Sequence, residues 1–205
     1  MAYTEDQLVS RILQRLQDSG TAIWSTAEIG QVMDACLLEV SYYKPRVVLA
    51  TVTTTANSKQ VDISSLTDLL YGTDDARSFE YVEFRTDKDP PRYRNFEVRQ
   101  GKLIMDISFA PSDGEDVRLY CRQPHVVDGT TTNTLDPYLE GLLIDLCAAR
   151  AAISKSIDYV NQVTVGGQGV TRDYQEWGSQ LLTVALRRLM QIQKPQIIER
   201  WPRVA

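Results

Sequence analysis

The chain has 205 residues, of which 43% are apolar and 24% are charged, a balance typical of globular rather than disordered proteins. Its net charge of −5 argues against a dedicated nucleic-acid binder, which would carry a basic excess. No long apolar run occurs, so we expect no membrane span, and the acidic start at 1–6 lacks the apolar core of a secretory signal.

Two helices are predicted at the beginning of the chain. The first starts with a capping box at Thr4–Gln7, continues with apolar residues at helical spacing and ends at Gly20. The second starts with a capping box at Ser25–Glu28 and runs to about Tyr43, before Pro45. A short loop joins them, which favours an antiparallel hairpin.

The middle of the chain changes to short β-branched stretches separated by turns. This pattern predicts strands at 47–55, 60–63, 79–85, 94–98, 102–107 and 116–122, with a single helical turn within 64–71. Strands this short and this often interrupted indicate an antiparallel sheet or a small sandwich.

Apolar residues at helical spacing return in the last third of the chain. Asp136 is a natural N-cap, Pro137 fits a first turn, and a broad apolar stripe follows. Gly166-Gly167-Gln168-Gly169 predicts a flexible break, after which Thr171 or Arg172 begins the last helix.

The order of elements predicts an α+β fold. We expect a helical bundle built from N- and C-terminal helix pairs, with an inserted antiparallel β-region and an extended C-terminal tail. The corresponding segments are an N-terminal helical hairpin at 1–45, the β-rich insertion at 46–128, the C-terminal helices at 129–193 and the tail at 194–205.

The three cysteines do not predict a disulfide framework or a zinc site. Cys36, Cys121 and Cys147 are far apart, odd in number and not in CxxC spacing. They are interpreted as small, buried apolar residues in a reducing compartment.

No group of residues predicts catalysis, a cofactor or a metal. His125 is the sole histidine and has no nucleophile at a recognisable spacing. The 166–169 glycines lack the Lys-Ser/Thr ending of a phosphate loop, and acidic turns such as 113–116 do not match a calcium loop. Alternating basic and aromatic residues at 92–96 suit a half-exposed strand better than a nucleic-acid stacking site. We therefore expect a protein that is not an enzyme.

The last segment, 194–205, has the strongest functional interpretation. Pro195 stops the helix and Pro202 discourages another, which leaves an extended apolar stretch that must dock on its own domain or on a partner. Its local charge is basic, so we expect an apolar cleft with an acidic rim to receive it. The predicted docking residues are Ile197, Ile198, Arg200, Trp201, Pro202 and Arg203.

The order of the predicted elements and short motifs along the chain resembles that of the head-to-tail adaptor (connector) proteins of tailed bacteriophages. The resemblance covers most of the chain and rests on Trp24-Ser25, Ala27-Glu28-Ile29, Asp34-Ala35-Cys36, Tyr42, Tyr43 and Pro45, then 79–84, 89–93, 117–120, 124–128 and 135–138. The β-insertion departs from the smallest adaptors, which are nearly all helical, and is closer to podovirus-type adaptors.

The resemblance implies a structural role without a cofactor. Such adaptors form a dodecameric ring under the portal through helical contacts between copies, and an extended C-terminal segment inserts into the portal. A tail or nozzle protein meets the other side, and DNA passes through an often acidic lumen without sequence-specific binding. The expected location is the neck of the virion, after synthesis in the host cytoplasm, with no membrane partner.

An alternative of a different class is a ligand- or carbohydrate-binding module on a helical scaffold. Its motivation is the aromatic content of the β-region, where Tyr71, Phe79, Tyr81 and Tyr93 are candidates for a stacking surface.

Overall fold

The computed structural model describes residues 3–88, 90–129, 133–161 and 168–192. The chain divides into two compact units. The helical unit combines Met1–Lys44 with Val127–Ala205, and the β unit is Pro45–Val126.

The helical unit contains four described helices: α1 (Glu5–Arg15), α2 (Thr26–Tyr43), α3 (Pro137–Asn161) and α4 (Gln168–Ile192). Both predicted capping boxes are confirmed, because the Thr4 and Ser25 hydroxyls accept the amide protons of Gln7 and Glu28. The predicted N-cap of α3 is also confirmed, since the Leu139 amide donates to the Asp136 carboxylate at 2.8 Å.

The predicted bundle of N- and C-terminal helix pairs is wrong. The first two helices do not form a pair that then packs on a second pair; α3 is central and contacts α1, α2 and α4, most extensively α4. The physical reason is that α3 is apolar around most of its circumference and can therefore accept helices on several sides. Its buried residues include Leu139, Leu142, Leu143, Leu146, Cys147, Ala148, Ala149, Ala151 and Ala152.

Two helix boundaries differ from the sequence-based expectation. The first helix ends at Arg15 rather than at Gly20, and Gln17 then adopts a left-handed φ of 60°. The last helix begins at Gln168, so Gly169 belongs to the helix and not to a break before it.

The β unit contains two three-stranded antiparallel sheets. Sheet A has the order β1 (Arg46–Thr53), β6 (Asp116–Gln123) and β3 (Phe79–Phe84), and sheet B has the order β2 (Gln60–Asp62), β5 (Lys102–Met105) and β4 (Phe96–Arg99). The predicted helical turn within 64–71 is absent from that described stretch, and a 3-10 helix lies instead at Ala76–Ser78.

The two sheets enclose one apolar core within the β unit. Alternation along the strands sends side chains inward, and on β3 a register shift between Phe79 and Tyr81 interrupts the alternation. The buried members are Val61, Ile63, Phe79, Val82, Phe84, Leu103, Met105, Ile107, Val117, Leu119 and Cys121. The opposite, outer face of sheet A carries polar and aromatic residues together with the exposed Val47 and Leu49 of β1.

In the described part of the chain, no helix combines the length and the apolar character needed to cross a membrane.

Candidate interaction surfaces

The described residues do not bring metal-binding side chains together. Among them, no three His, Cys, Asp or Glu side chains lie close enough together to hold a metal ion. His125 is buried and has an interaction partner.

The cysteines are buried and poorly reactive. Burial raises the pKa of Cys121 to about 11. Burial, together with a hydrogen bond to Cys36, raises the pKa of Cys147 well above its usual range. Because the thiolate is the nucleophilic form, neither group is suited to nucleophilic catalysis at neutral pH.

One side of α2 points away from the core and is unusually apolar. Residues at helical spacing on this side are all exposed: Ala27, Gln31, Asp34, Ala35, Leu38 and Tyr42. We call this set the α2 outward face. Leu38 is 44% exposed and Tyr42 is 43% exposed, and Asp34 is the single charged member.

The exposed side of the neighbouring helix α1, in the same unit, is polar and provides a comparison. Its exposed residues are polar or charged: Asp6, Gln7, Ser10, Arg11, Gln14 and Arg15. Apart from Asp34, the acidic residues of α2 lie at the flanks of the outward face, where Glu28 meets Lys155 at 3.5 Å and Glu39 meets Arg150 at 2.6 Å. The contrast marks the α2 outward face as a surface suited to burial against another protein.

A second apolar strip lies on α4. Trp177, Leu181 and Val184 are spaced four and three residues apart, so they share one side of that helix. Trp177 is 37% exposed and Val184 is 43% exposed, whereas Leu181 packs partly against the core. We call these three residues the α4 stripe.

The outer face of sheet A carries a cluster of three tyrosines. The ring centroids of Tyr81 and Tyr93 lie 5.2 Å apart, and Tyr120 lies 6.1 Å from Tyr81 and 6.2 Å from Tyr93. Cross-strand register produces the cluster, because Tyr81 pairs with Tyr120 and a bridge joins Glu83 to Tyr93. Tyr93 is 45% exposed and forms the open side of this tyrosine cluster.

A buried carboxylate lies beside the tyrosine cluster. Glu83 is only 2% exposed, and its Oε2 accepts a hydrogen bond of 3.2 Å from the Tyr120 hydroxyl. Its Oε1 lies 3.5 Å from the Arg118 guanidinium. Burial and the adjacent Glu83 charge raise the pKa of Tyr120, so this hydroxyl stays protonated and donates to the carboxylate.

The predicted stacking surface is only partly assembled. Tyr81 and Tyr93 are brought together, but Phe79 is buried in the core against Phe96, and Tyr71 lies apart beneath the Arg77 guanidinium. Sequence reasoning missed Tyr120, because its place in the cluster depends on pairing between strands far apart in sequence.

The first strand, β1, forms an edge of sheet A. The Thr54 amide donates to Glu115 at 2.9 Å, so strand alternation turns the backbone N–H and C=O groups of Val47, Leu49, Thr51 and Thr53 away from β6. The same four residues project onto the outer face, where Leu49 is 52% exposed and lies opposite Tyr120. We call this side of the strand the open edge of β1.

The predicted docking residues Ile197, Ile198, Arg200, Trp201, Pro202 and Arg203 lie outside the described residues. The candidate surfaces defined above are the α2 outward face, the α4 stripe, the tyrosine cluster and the open edge of β1, and all four consist of described residues. No family model and no curated protein sequence matches this chain.

Proposed function

We propose that this chain is a structural adaptor, which assembles with copies of itself into a ring between the portal and the tail or nozzle of a tailed bacteriophage. The α2 outward face is the observation that carries the proposal. A helix that is apolar both toward its own core and away from it is typical of a subunit that is covered by a neighbour.

A ring needs two different surfaces on each copy, because a head-to-tail contact joins unlike patches. The helical unit offers two, the α2 outward face and the α4 stripe. Charge also favours their contact: Asp34 lies on the first surface, and Arg187 lies one turn beyond Val184 near the second. In the proposed ring, α2 of one copy packs against α4 of the next.

The C-terminal segment 194–205 is proposed to dock on the portal in the assembled neck. Its sequence supports this role: an aromatic anchor, Trp201, lies near two isoleucines and between two prolines that exclude helix. The net charge of −5 suits a lumen through which DNA moves without sticking, and the virion neck is the proposed location.

The portal contact is tested by ending the chain after Lys194. We expect the shortened protein to keep its circular dichroism spectrum and melting temperature, and to lose binding to the portal of its own phage. A control that lacks only Val204 and Ala205 should bind as the full chain does. Normal portal binding by the shortened protein would show that docking lies elsewhere.

The tyrosine cluster favours a second candidate function, the binding of a carbohydrate or another flat ligand. Three tyrosines in mutual contact, of which Tyr93 is exposed and Tyr81 and Tyr120 are half-buried, present an aromatic surface for stacking. A glycan array separates the two proposals: binding that Tyr93→Ala abolishes would support this candidate, and an array without hits would remove it.

A further inference from the structure

In the part of the chain that the structure describes, no backbone hydrogen bond covers the open edge of β1, and the strand itself has no lysine, proline or bulge. Proteins block such edges with lysine, proline, bulges or covering segments. This strand, Arg46-Val47-Val48-Leu49-Ala50-Thr51-Val52-Thr53, is mostly β-branched and has one charged residue, Arg46, which is bonded to Gln123 at 2.6 Å. Its register with β6 is regular over eight pairs, so no bulge interrupts the edge that a further strand would meet.

The side chains next to this edge define what a fourth strand should carry. Val47 and Leu49 are 45% and 52% exposed, and they lie opposite Arg122 and Tyr120. Thr51 lies opposite Arg118, whose side chain is 43% exposed. An added strand therefore meets an apolar position at Leu49 and a cationic position across the small Thr51.

We propose that the open edge of β1 binds residues 196–201 of a second copy of this chain as an added antiparallel strand. Pro195 and Pro202 bracket these six residues, and proline cannot donate to a sheet ladder, which limits the pairing to this stretch. Side-chain alternation puts Ile197, Glu199 and Trp201 on one side of the stretch.

One register matches all three side chains to the outer face. With Glu199 opposite Thr51, Trp201 lies beside Leu49 and near Tyr120, and Ile197 lies beside Thr53. The Glu199 carboxylate then reaches Arg118 across Thr51, and the guanidinium has donors left because its contact with Glu83 uses only one nitrogen at 3.5 Å. Main-chain bonds supply affinity and the alternate side chains supply specificity.

The contact needs two copies of this chain and no portal, so it stands independently of the proposed function. A segment of one copy bound to the edge of another is a head-to-tail contact. Because the same segment is proposed to dock on the portal, this strand addition describes the chain before it meets a portal.

The test is sedimentation velocity of the full chain, alone, over a range of concentrations. We expect self-association of the natural sequence, and at least about a tenfold higher Kd for Trp201→Ala and for Leu49→Lys, since a buried anchor contributes on the order of this factor. Two matched controls, Val204→Ala in the tail and Gln60→Lys on the edge strand of sheet B, should associate normally.

A charge pair tests the register. Thr51→Glu opposes Glu199 and should weaken association, and adding Glu199→Lys to the same chain should restore it. A chain that is monomeric at every concentration, or association that Thr51→Glu leaves unchanged, would overturn the proposal. Hydrogen exchange distinguishes binding to a second copy from binding within one chain. If the 196–201 amides stay equally protected when the protein is diluted, the segment binds within its own chain and the proposal is overturned.

Discussion

Gly178 on α4 lies directly against the main chain of Ala149 on α3. A Cβ atom built at Gly178 would be 3.0 Å from the Ala149 carbonyl oxygen and 3.0 Å from Ile153 Cγ1. The absence of a side chain at Gly178 lets α3 and α4 pack closely along their extensive contact. Any larger residue at this position would push against the backbone of α3.

We therefore expect Gly178→Ala to destabilise the helical unit. Overpacking against a backbone atom costs about 1–3 kcal/mol, measured as the free energy of unfolding in urea. The matched control is Gly141→Ala on α3, where a Cβ atom would meet nothing within 4 Å. The control should be stabilising by about 0.5–1 kcal/mol, because alanine loses less entropy in a helix. Equal effects of both changes would contradict the close packing.

Asp18 organises the loop between α1 and α2. Its carboxylate accepts amide protons from Ala22, Ile23 and Trp24, each at 2.9 Å. The bond from Trp24 is the largest cause that lowers the pKa of Asp18. The folded-state pKa is below the unfolded one, so the stabilisation is present above the ordinary pKa and is lost as the pH falls through the lowered one.

Replacement of Asp18 should therefore lower stability in a pH-dependent way. We expect Asp18→Asn to melt below the natural sequence at pH 7, and the difference to shrink below about pH 4, near the ordinary pKa of aspartate. Asp34→Asn, at an exposed position, serves as the control and should leave the melting temperature unchanged. A difference that stays constant from pH 7 to pH 3 would show that the ionised form has no special role.

The hydroxyl of Tyr120 is expected to stabilise the β unit through Glu83. Tyr120→Phe leaves a 2% exposed carboxylate with one partner fewer. The loss should be about 1 kcal/mol, the usual cost of such a bond, measured as the free energy of unfolding. Tyr93→Phe, at the exposed ring of the same cluster, should change stability by less than about 0.5 kcal/mol. Two equal effects would show that the Glu83 contact contributes nothing.

The thiols should react only when the protein unfolds. Cys36 and Cys147 are 0% exposed and Cys121 is 1% exposed. Burial also raises the pKa of Cys121 and Cys147. We expect slow modification by a thiol reagent at pH 8 in native buffer, and fast modification of all three cysteines in denaturant. Fast modification of the native chain would contradict this packing.

Local chemistry was predictable from the sequence. Helix caps and strand positions depend on neighbours within a few residues, as the caps at Thr4, Ser25 and Asp136 show. The same reasoning placed the end of α1 too late, because nothing in the apolar spacing indicates the left-handed conformation of Gln17.

Non-local arrangement was not predictable in the same way. The central position of α3 depends on which helices pack against its apolar surface, and these helices are distant in sequence. The strand orders likewise depend on pairing between distant segments. The tyrosine cluster shows this at the candidate site. Sequence pattern identified Tyr81 and Tyr93 as aromatic candidates, but Tyr120 joins them only through the register of β3 and β6.

The most direct test of the adaptor proposal is cryo-electron microscopy of this protein mixed with the portal of its own phage. We expect a ring bound beneath the portal, with the α2 outward face and the α4 stripe at the boundaries between copies. The same mixture made with Leu38→Lys should lose the ring, whereas Gln14→Lys on the polar side of α1 should keep it. A portal that carries no added ring, or a ring whose copies meet through other surfaces, would contradict the account.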